Sequence, residues 1–471
     1  MRHIQGEDRQ QRTLLPDALE DFVDAENPVR VIDAYIESLD MESLGFNYAV
    51  TKETGRKPYN PADLLKLYVY GYLNKVAVSR RLEVECHRNL EVIWLMSRLR
   101  PDYKTIADFR KDNSKAIRAT CSAFIQFCRA AKLLSGRLVA IDGSKFKAAA
   151  SKDQMLTRKQ LKRDQAELEQ KVQRYLDQLD QFDSEEPEAE LERGQVESAL
   201  QRLADKAERL EQREKAMNEL GGNQHCATEP EARLVRSGRD GMIVGYNVQS
   251  AVDADTGLIV HHDVTNETGD SLQLQPMAEG AKAALEVEEL EVLADAGYSN
   301  GEQQAECENN GITATVPRRL ETSSYPERYQ KRDFVYDPES DSYRCPAGEV
   351  LDYAGEDKRR KMYRYQRSGC NQCPLQPNCT TANTRTITRN KYEATFERSQ
   401  ARLQSDPTLM TQRMAIAERP FAMLKRAMSL RRFSCRGLTA AKTEISLGIL
   451  GFNLQRMTNR LGVRQMLALI G

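Results

Sequence analysis

The chain has 471 residues, 40% of them hydrophobic, so it is long and apolar enough for two or three domains and is not a disordered polypeptide. No stretch approaches the roughly 18 apolar residues that a membrane helix needs, and the segment that begins at Met1 is polar. We therefore expect a cytoplasmic protein without a membrane segment. Ten cysteines in such a chain favour free thiols or metal ligation over a disulfide framework.

Charge is segregated along the chain, although the net charge is only −1. Residues 151–220 carry 13 Lys or Arg and 18 Asp or Glu, a balance of −5, which leaves +4 for the rest of the chain. Residues 52–118 carry 15 basic and 8 acidic residues, a local excess of +7. Because phosphate binding depends on local patches rather than on total charge, the composition is compatible with a nucleic-acid partner.

The N-terminal third of the chain is predicted to be helical. Asn60 followed by Pro61 is a favourable helix start, and further starts lie at Ser79 and near Thr105. The apolar residues of the first helix recur on one face: Leu64, Leu65, Tyr68, Tyr72 and Leu73. Basic helices of this kind predict a DNA-binding module of helix-turn-helix character, the alternative being a solvated basic bundle. Trp94 and Phe109 are interpreted as core residues.

Asp142 follows an apolar run of strand length, residues 138–141. The Asp-Gly-Ser sequence that begins there is typical of strand ends, so we predict a short buried strand that ends at Asp142. A carboxylate removed from water needs a partner, and a metal ion is one such partner. For an isolated aspartate, capping of a turn is the simpler alternative.

Two amphipathic helices are predicted next. Their apolar residues follow heptad spacing: Leu168, Val172, Tyr175, Leu179 and Phe182, then Val196, Leu200, Leu203, Ala207 and Leu210. A polar break at residues 183–187, which contains Pro187, and a Gly-Gly-Asn sequence at 221–223 predict an inserted antiparallel coiled-coil hairpin. Because the hairpin is acidic, we assign it to self-association or to passive insertion rather than to DNA clamping.

Strand patterns return after this insertion. Residues 246–252 and 258–264 alternate around a turn at 253–257, which predicts a β-hairpin. His261 and His262 are adjacent in a strand and face opposite ways, so they do not readily join one site. The elements predicted after the hairpin are a helix over residues 270–287, a strand that leads to Asp295, a helix over roughly 300–309 and a strand over 312–317.

Four cysteines lie in a turn-rich segment between this region and the C-terminal helices: Cys345, Cys370, Cys373 and Cys379. Four thiolates at such spacing predict a structural Zn²⁺ site, against the alternative of reduced free thiols. The remaining cysteines are interpreted as small buried hydrophobic residues.

The third candidate acid is Glu418, in a segment whose apolar and small residues recur at helical spacing. Residues 413–436 carry seven basic residues and this single acid. Two aspartates at strand ends and one helical glutamate could converge on two Mg²⁺ ions about 4 Å apart, an arrangement that cleaves phosphodiesters. The alternative is a solvated basic helix in which Glu418 forms an ordinary ion pair. A last amphipathic helix is predicted over residues 439–461.

Three motifs carry a resemblance to a known family: Ile-Asp-Gly-Ser at residues 141–144, Ala-Asp-Ala-Gly-Tyr at 294–298, and Glu418 with Lys425 seven positions later. The chain resembles the DDE transposases of bacterial insertion sequences, specifically the IS1182 group within the IS4-like set. That family's third-acid signature is Tyr, two residues, Arg, three residues, Glu, six residues, Lys. Here four residues separate Arg413 from Glu418, and Met410 occupies the tyrosine position.

The resemblance implies a ribonuclease-H-like α/β core in which Asp142, Asp295 and Glu418 are catalytic and bind two Mg²⁺ or Mn²⁺ ions. It implies a transposase that binds the terminal inverted repeats of its mobile element, cleaves double-stranded DNA and joins the 3′ hydroxyl ends to target DNA. The expected assembly is a homodimer or higher homo-oligomer, located in the bacterial cytoplasm at the nucleoid. The basic residues expected to contact DNA are Arg413, Arg419, Lys425 and Arg426.

Two other functions fit the same residues: a non-catalytic, transposase-derived DNA-binding protein, and a metal-dependent DNA nuclease without strand transfer. The predicted domains are a helical DNA-binding domain (1–132), the first core strand (133–152), the coiled-coil hairpin (153–222), the core sheet and helices (223–320), the cysteine-rich insert (321–390) and a helical C-terminal part that carries the third acid (391–471).

Overall fold

The computed structural model describes residues 18–51, 57–182, 190–219, 223–238, 240–319 and 325–471. The predicted polar break at residues 183–187 and the glycines at 221 and 222 lie outside these ranges, as do the side chains of Leu179 and Phe182. No helix in the described ranges is both long and apolar enough to cross a membrane. The chain is a mixed α/β protein.

The N-terminal module is helical, as predicted. Its helices are α1 (Val29–Glu37), α2 (Pro61–Leu73), α3 (Ser79–Arg88), α4 (Leu90–Leu95), α5 (Tyr103–Asp112) and α6 (Ser114–Ala130). The Asn60 side chain accepts a hydrogen bond from the Ala62 amide at 3.0 Å, which confirms the predicted cap of α2. Helix α5 begins two residues before the predicted start because Asp102 caps it by accepting from the Thr105 amide at 2.8 Å.

The central sheet follows this module. Its strands are β1 (Leu138–Lys147), β4 (Arg233–Ser237), β5 (Gly241–Asp253), β6 (Ile259–Thr265), β7 (Leu290–Leu293) and β8 (Ile312–Thr315). The order is β4-β5-β1-β7-β8, and β6 also pairs with β5. Strands β1, β5 and β6 pair antiparallel, whereas β1, β7 and β8 pair parallel. Helix α9 (Leu274–Leu285) precedes β7, and α10 (Gly301–Asn309) connects the parallel strands β7 and β8.

The prediction that β1 ends at Asp142 is wrong. The strand continues to Lys147, because residues 142–147 pair antiparallel with residues 245–250 of β5. Long-range pairing therefore overrides the local tendency of Asp-Gly-Ser to end a strand. The helix predicted from residue 270 begins at Leu274 instead.

The acidic insertion contains two long helices, α7 (Arg158–Phe182) and α8 (Glu190–Glu219), enclosed by a short pair of strands, β2 (Met155–Thr157) and β3 (Gln224–Cys226). At its base a small apolar cluster is separate from the main core: Leu156, Leu161, Leu210 and Met217. Gln165 donates to Glu214 at 2.9 Å. These contacts join the start of α7 to the end of α8, so the helices run antiparallel near their base.

The cysteine-rich segment forms a second sheet, which was not predicted from the sequence. Its antiparallel strands are β9 (Val335–Asp337), β10 (Ser342–Arg344), β11 (Val350–Asp357), β12 (Met362–Ser368) and β13 (Thr384–Asn390). It has its own core, built from Phe334, Tyr343, Leu351, Tyr365 and Ile387. This segment is therefore a small folded unit with its own packing.

The C-terminal part contains α11 (Glu393–Ser405), α12 (Leu409–Ala422), α13 (Leu438–Leu461) and α14 (Val463–Ile470). Helix α12 contains Pro420 and widens into a π-helical turn, Met423–Ala427. Helix α13 agrees closely with the predicted last helix and is buried along most of its length. It packs against α2, α6 and β6, so the N-terminal module and the sheet share one hydrophobic core.

Candidate active site

Asp142 lies on β1 just beyond the point where the neighbouring parallel strand ends. The last paired residues of β1 and β7 are Ala140 and Leu293. Asp295 follows β7 and caps a short 3-10 turn by accepting from the Gly297 amide at 2.7 Å. The two aspartates, which are far apart in sequence, therefore meet at the same edge of the sheet.

Arg413 on α12 contacts both aspartates. Its guanidinium donates to Oδ1 of Asp142 at 2.6 Å and lies 3.6 Å from Oδ2 of Asp295. The Arg413 side chain is 7% exposed and that of Asp142 is 16% exposed, whereas Asp295 is 48% exposed. The site is thus open to solvent on the Asp295 side and closed by α12 on the other.

Burial raises the pKa of the Asp142 carboxyl to about 6, although Arg413 and the Gly143 amide act to lower it. Asp295 and Glu418 raise the same pKa through their negative charge. Like charges have this effect only at short range, so all three predicted acids share one electrostatic environment.

Glu418 lies on α12, as predicted, and its side chain is exposed. It lies five positions after Arg413, so it projects from a different side of the helix, while Ala417 and Phe421 are buried. In the described part of the chain no hydrogen bond or ion pair engages the Glu418 carboxylate. It is therefore available to a ligand that reaches the edge of the site.

Lys425 faces the sheet, in the π-helical turn that follows α12. Its Nζ donates to Ser144 Oγ at 2.6 Å and to the Lys145 carbonyl at 2.8 Å, and it lies 4.5 Å from the centre of the Phe146 ring. Burial lowers the pKa of Lys425 to about 8, against the raising effect of Asp240 and Asp142. In this arrangement Lys425 binds β1, whereas Arg419 and Arg426 are exposed on the outer surface.

A fourth carboxylate, Asp270, lies on the other face of β1. It accepts hydrogen bonds from Lys145 at 3.1 Å, Asn247 at 2.7 Å and Gln249 at 2.8 Å. A Cβ atom on Gly143 would lie 2.7 Å from the Asp270 carboxylate, so the glycine makes room for it. This network was not predicted, because residue 270 was expected to lie inside a helix.

Tyr298 joins this network to the Asp295 turn. Its buried hydroxyl donates to Oε1 of Gln249, and Gln249 pairs in register with Gly143, next to Asp142. Burial raises the pKa of Tyr298 well above its ordinary value, and the nearby carboxylates raise it further. The protonated hydroxyl therefore ties the turn that carries Asp295 to the strand pair that carries Asp142. The motif Asp-Ala-Gly-Tyr was visible in the sequence, but the role of its tyrosine was not.

The four cysteines of the second sheet line one cavity of about 330 Å³ together with Arg385 and other residues. Burial raises the pKa of the Cys379 thiol, and Cys370, Cys345 and Cys373 raise it further, while Arg385 lowers it. The four predicted thiols thus line one cavity, and sulfur donors suit Zn²⁺ chemically.

The donor sets fit the expected metals in kind: hard carboxylate oxygens for Mg²⁺ and thiols for Zn²⁺. Among the described residues, however, no group of three or more His, Cys, Asp or Glu side chains is arranged so that it could hold a metal ion. At the acidic site the cationic group between Asp142 and Asp295 is the Arg413 guanidinium.

Two family models match the chain. A model described as a transposase DDE domain matches residues 344–458, and one described as a transposase domain, DUF772, matches residues 17–112. The first match contains the four cysteines, Glu418 and Lys425, and the second contains helices α1 to α5. Together they support a DDE transposase, and they do not address the IS1182 group.

Among solved structures, the cryo-EM structure of the piggyBac transposase synaptic complex with hairpin DNA is similar over 94% of this chain and 79% of that chain. The sequence identity is 10% and the TM-score is 0.35, too low to support an argument about fold. No curated protein matches the chain.

Proposed function

We propose that this chain is a DDE-type transposase that binds the terminal inverted repeats of its mobile element, cleaves DNA and joins the 3′ hydroxyl ends to target DNA. The observation that carries the proposal is the meeting of Asp142, Asp295 and α12 at one sheet edge, through the contacts of Arg413 with both aspartates. Glu418 lies on the same helix and acts electrostatically on Asp142.

The strand arrangement supports a ribonuclease-H-like core within this proposal. Strand β5 pairs antiparallel with both β1 and β6, and β7 and β8 extend the sheet in parallel on the other side of β1. The first acid lies on the central strand and the second follows the adjacent parallel strand. We also retain the IS1182 group as a proposal, on the strength of the three sequence motifs.

Asp142, Asp295 and Glu418 would hold two Mg²⁺ or Mn²⁺ ions. Bound divalent cations would activate a water or a 3′ hydroxyl and stabilise the leaving oxygen of a phosphodiester. Arg413 holds the two aspartates and screens their mutual repulsion, so it must yield part of its contact with them when cations enter. Tyr298 and Gln249 fix the turn of Asp295 relative to Asp142.

The exposed Arg419 and Arg426 are placed to contact DNA phosphates beside the acids. Lys425, which binds β1, would contact DNA only after leaving Ser144, so its first role here is to hold α12 against the sheet. The cysteine cavity would hold one structural Zn²⁺ ion. Transposition of two element ends requires two active sites, which favours a homodimer or a higher homo-oligomer.

A joining assay separates this proposal from its alternatives. Purified chain, Mg²⁺ and a circular target plasmid are incubated with a labelled duplex that ends in the inverted repeat flanking the gene, already cut at its 3′ end. We expect label to become covalently joined to the plasmid, and a 3′-dideoxy end to abolish joining. Cleavage of an uncut substrate without any joining would assign a nuclease, and end binding without either reaction would assign a non-catalytic DNA-binding protein.

A further inference from the structure

Helices α2 and α3 form a tight helix-turn-helix. Five residues, 74–78, connect them, and Lys75 adopts a left-handed conformation with φ of 62°. A Cβ atom on Gly71 of α2 would lie 2.6 Å from a methyl group of Leu82 on α3 and 2.9 Å from the Val76 carbonyl. Glycine at this position therefore lets the second helix pack directly on the first.

The outer face of α3 is exposed and mostly basic, with the partly exposed Glu83 at its edge. Leu82, Glu85 and Cys86 are buried on its inner face. The exposed residues recur at helical spacing on the opposite face: Arg80, Arg81, Val84, His87 and Arg88. Val84, 46% exposed, lies at the centre of this face, which we call the α3 face.

A neighbouring aromatic residue extends the α3 face. The Arg80 guanidinium lies 5.1 Å from the centre of the Tyr103 ring on α5, and Tyr103 is 44% exposed. Arg88 pairs with Glu85, whereas no hydrogen bond or ion pair in the described residues engages the side chain of Arg81. The surface thus combines positive charge with exposed apolar groups.

We propose that α3 is the helix that reads DNA sequence in the major groove, with Arg80 and Arg81 contacting base edges and Val84 contacting a thymine methyl group. This inference rests on the proposed function and goes beyond it by naming the surface that selects the element's ends. In a helix-turn-helix the second helix enters the groove, and its N-terminal residues reach the bases. Arginine to guanine and apolar side chain to thymine methyl are favoured direct contacts.

The other helices of the N-terminal module are less suited to this role. Helix α2 is buried almost all round, and the exposed face of α5 carries Asp108 and Asp112 beside its lysines. A protein partner with an acidic surface, such as the α7–α8 insertion of a second copy, is the competing occupant of the α3 face. DNA is favoured because the exposed basic side chains surround a small apolar centre on a single helix face.

The test uses the full-length protein and a library of random-sequence duplexes to select a preferred site. The ratio of affinities for the selected duplex and a scrambled duplex is then measured at one fixed salt concentration. For Arg80→Ala/Arg81→Ala we expect this ratio to fall by roughly tenfold to a hundredfold, and Val84→Ala should relax the preference at one base pair. These side chains are exposed and alanine favours helix, so folding should be retained.

The control is Lys358→Ala/Arg359→Ala, which removes the same charge from the exposed turn between β11 and β12. Any loss of affinity should be the same for both duplexes, so the ratio of their affinities should stay unchanged. An unchanged affinity ratio in the Arg80→Ala/Arg81→Ala variant would overturn the inference and leave the proposed function intact. If that variant changed self-association instead, the α3 face would be assigned to a protein contact. Failure of the wild type to select any sequence would overturn end recognition itself, and the inference with it.

Discussion

The guanidinium of Arg413 donates to Oδ1 of Asp142 at 2.6 Å and is almost fully buried there. This ion pair ties α12, the helix of the third acid, to the central strand of the sheet. Asp295 lies 3.6 Å from the same guanidinium. One arginine thus organises the two aspartates and the glutamate helix, and it supplies the positive charge that closely spaced carboxylates require.

Replacing Arg413 with methionine should lower the free energy of unfolding by about 3 kcal/mol, because a buried carboxylate would lose its partner. The double variant Asp142→Asn/Arg413→Met should lose less free energy of unfolding than the two single variants lose in sum. Urea unfolding in EDTA measures all three. Arg398→Met is the control, since the Arg398–Glu308 pair is exposed and should contribute under about 1 kcal/mol. If the losses of unfolding free energy in the two single variants added up to that of the double variant, the coupling between Arg413 and Asp142 would be contradicted.

The stability of the metal-free protein should depend on pH through Asp142. Burial raises its pKa to about 6 in the folded protein, so a stabilising contribution is fully present below the ordinary aspartate value and is lost as pH rises through about 6. Relative to Asp142→Asn, the wild type should therefore lose up to about 3 kcal/mol of stability between roughly pH 4 and pH 8. Urea titrations in EDTA at several pH values test this, and a difference that is constant or grows with pH would contradict it.

Removal of the Tyr298 hydroxyl should weaken metal binding and lower stability only slightly. Tyr298→Phe loses the hydrogen bond to Gln249 that fixes the Asp295 turn, which should lower the stability by about 1 kcal/mol and weaken Mn²⁺ binding. Tyr246→Phe is the matched control, because Tyr246 on β5 is equally buried and donates to Glu229 at 2.9 Å, away from the acids. Calorimetric titration with Mn²⁺ compares the two. Equal metal affinities in both variants would leave Tyr298 with a purely structural role.

One Zn²⁺ ion per chain should copurify with the protein, bound by Cys345, Cys370, Cys373 and Cys379. Cys373→Ser should release it and lower the melting temperature, because structural zinc contributes directly to folding. Cys435→Ser is the control, since Cys435 is likewise partly exposed but lies outside the cysteine cavity. Elemental analysis measures the stoichiometry. A well-folded, active preparation without zinc would remove this site from the account.

Much of the fold follows from local sequence. The cap at Asn60, the strand before Asp295 and the helix of Glu418 were predicted because each depends on a few neighbouring residues. The end of β1 was mispredicted because its second half is held by pairing with residues of β5 about a hundred positions away. The five-stranded sheet was not predicted, because strands as short as β10 give little alternating pattern around residues such as Tyr343.

In the candidate site, too, the features that depend on neighbouring residues were predicted and those that depend on long-range packing were not. The sequence indicated the three acids, since aspartates after apolar strands stand out. Arg413 was expected to contact DNA, and its contact with both aspartates was not foreseen because it depends on how α12 packs across the sheet. Asp270 and Gln249 were not recognised, because a polar network assembled from several strands leaves no local signature.

The most direct test of the account is cleavage of DNA that carries the flanking inverted repeats, in Mg²⁺ or Mn²⁺, by the wild type and by Asp142→Asn, Asp295→Asn and Glu418→Gln. Each substitution removes one carboxylate charge and retains the side-chain shape. We predict that all three variants lose cleavage and joining yet still bind the ends, because binding rests on basic residues elsewhere. Wild-type rates of cleavage by the Asp142→Asn protein, with contaminating nuclease excluded, would contradict the account.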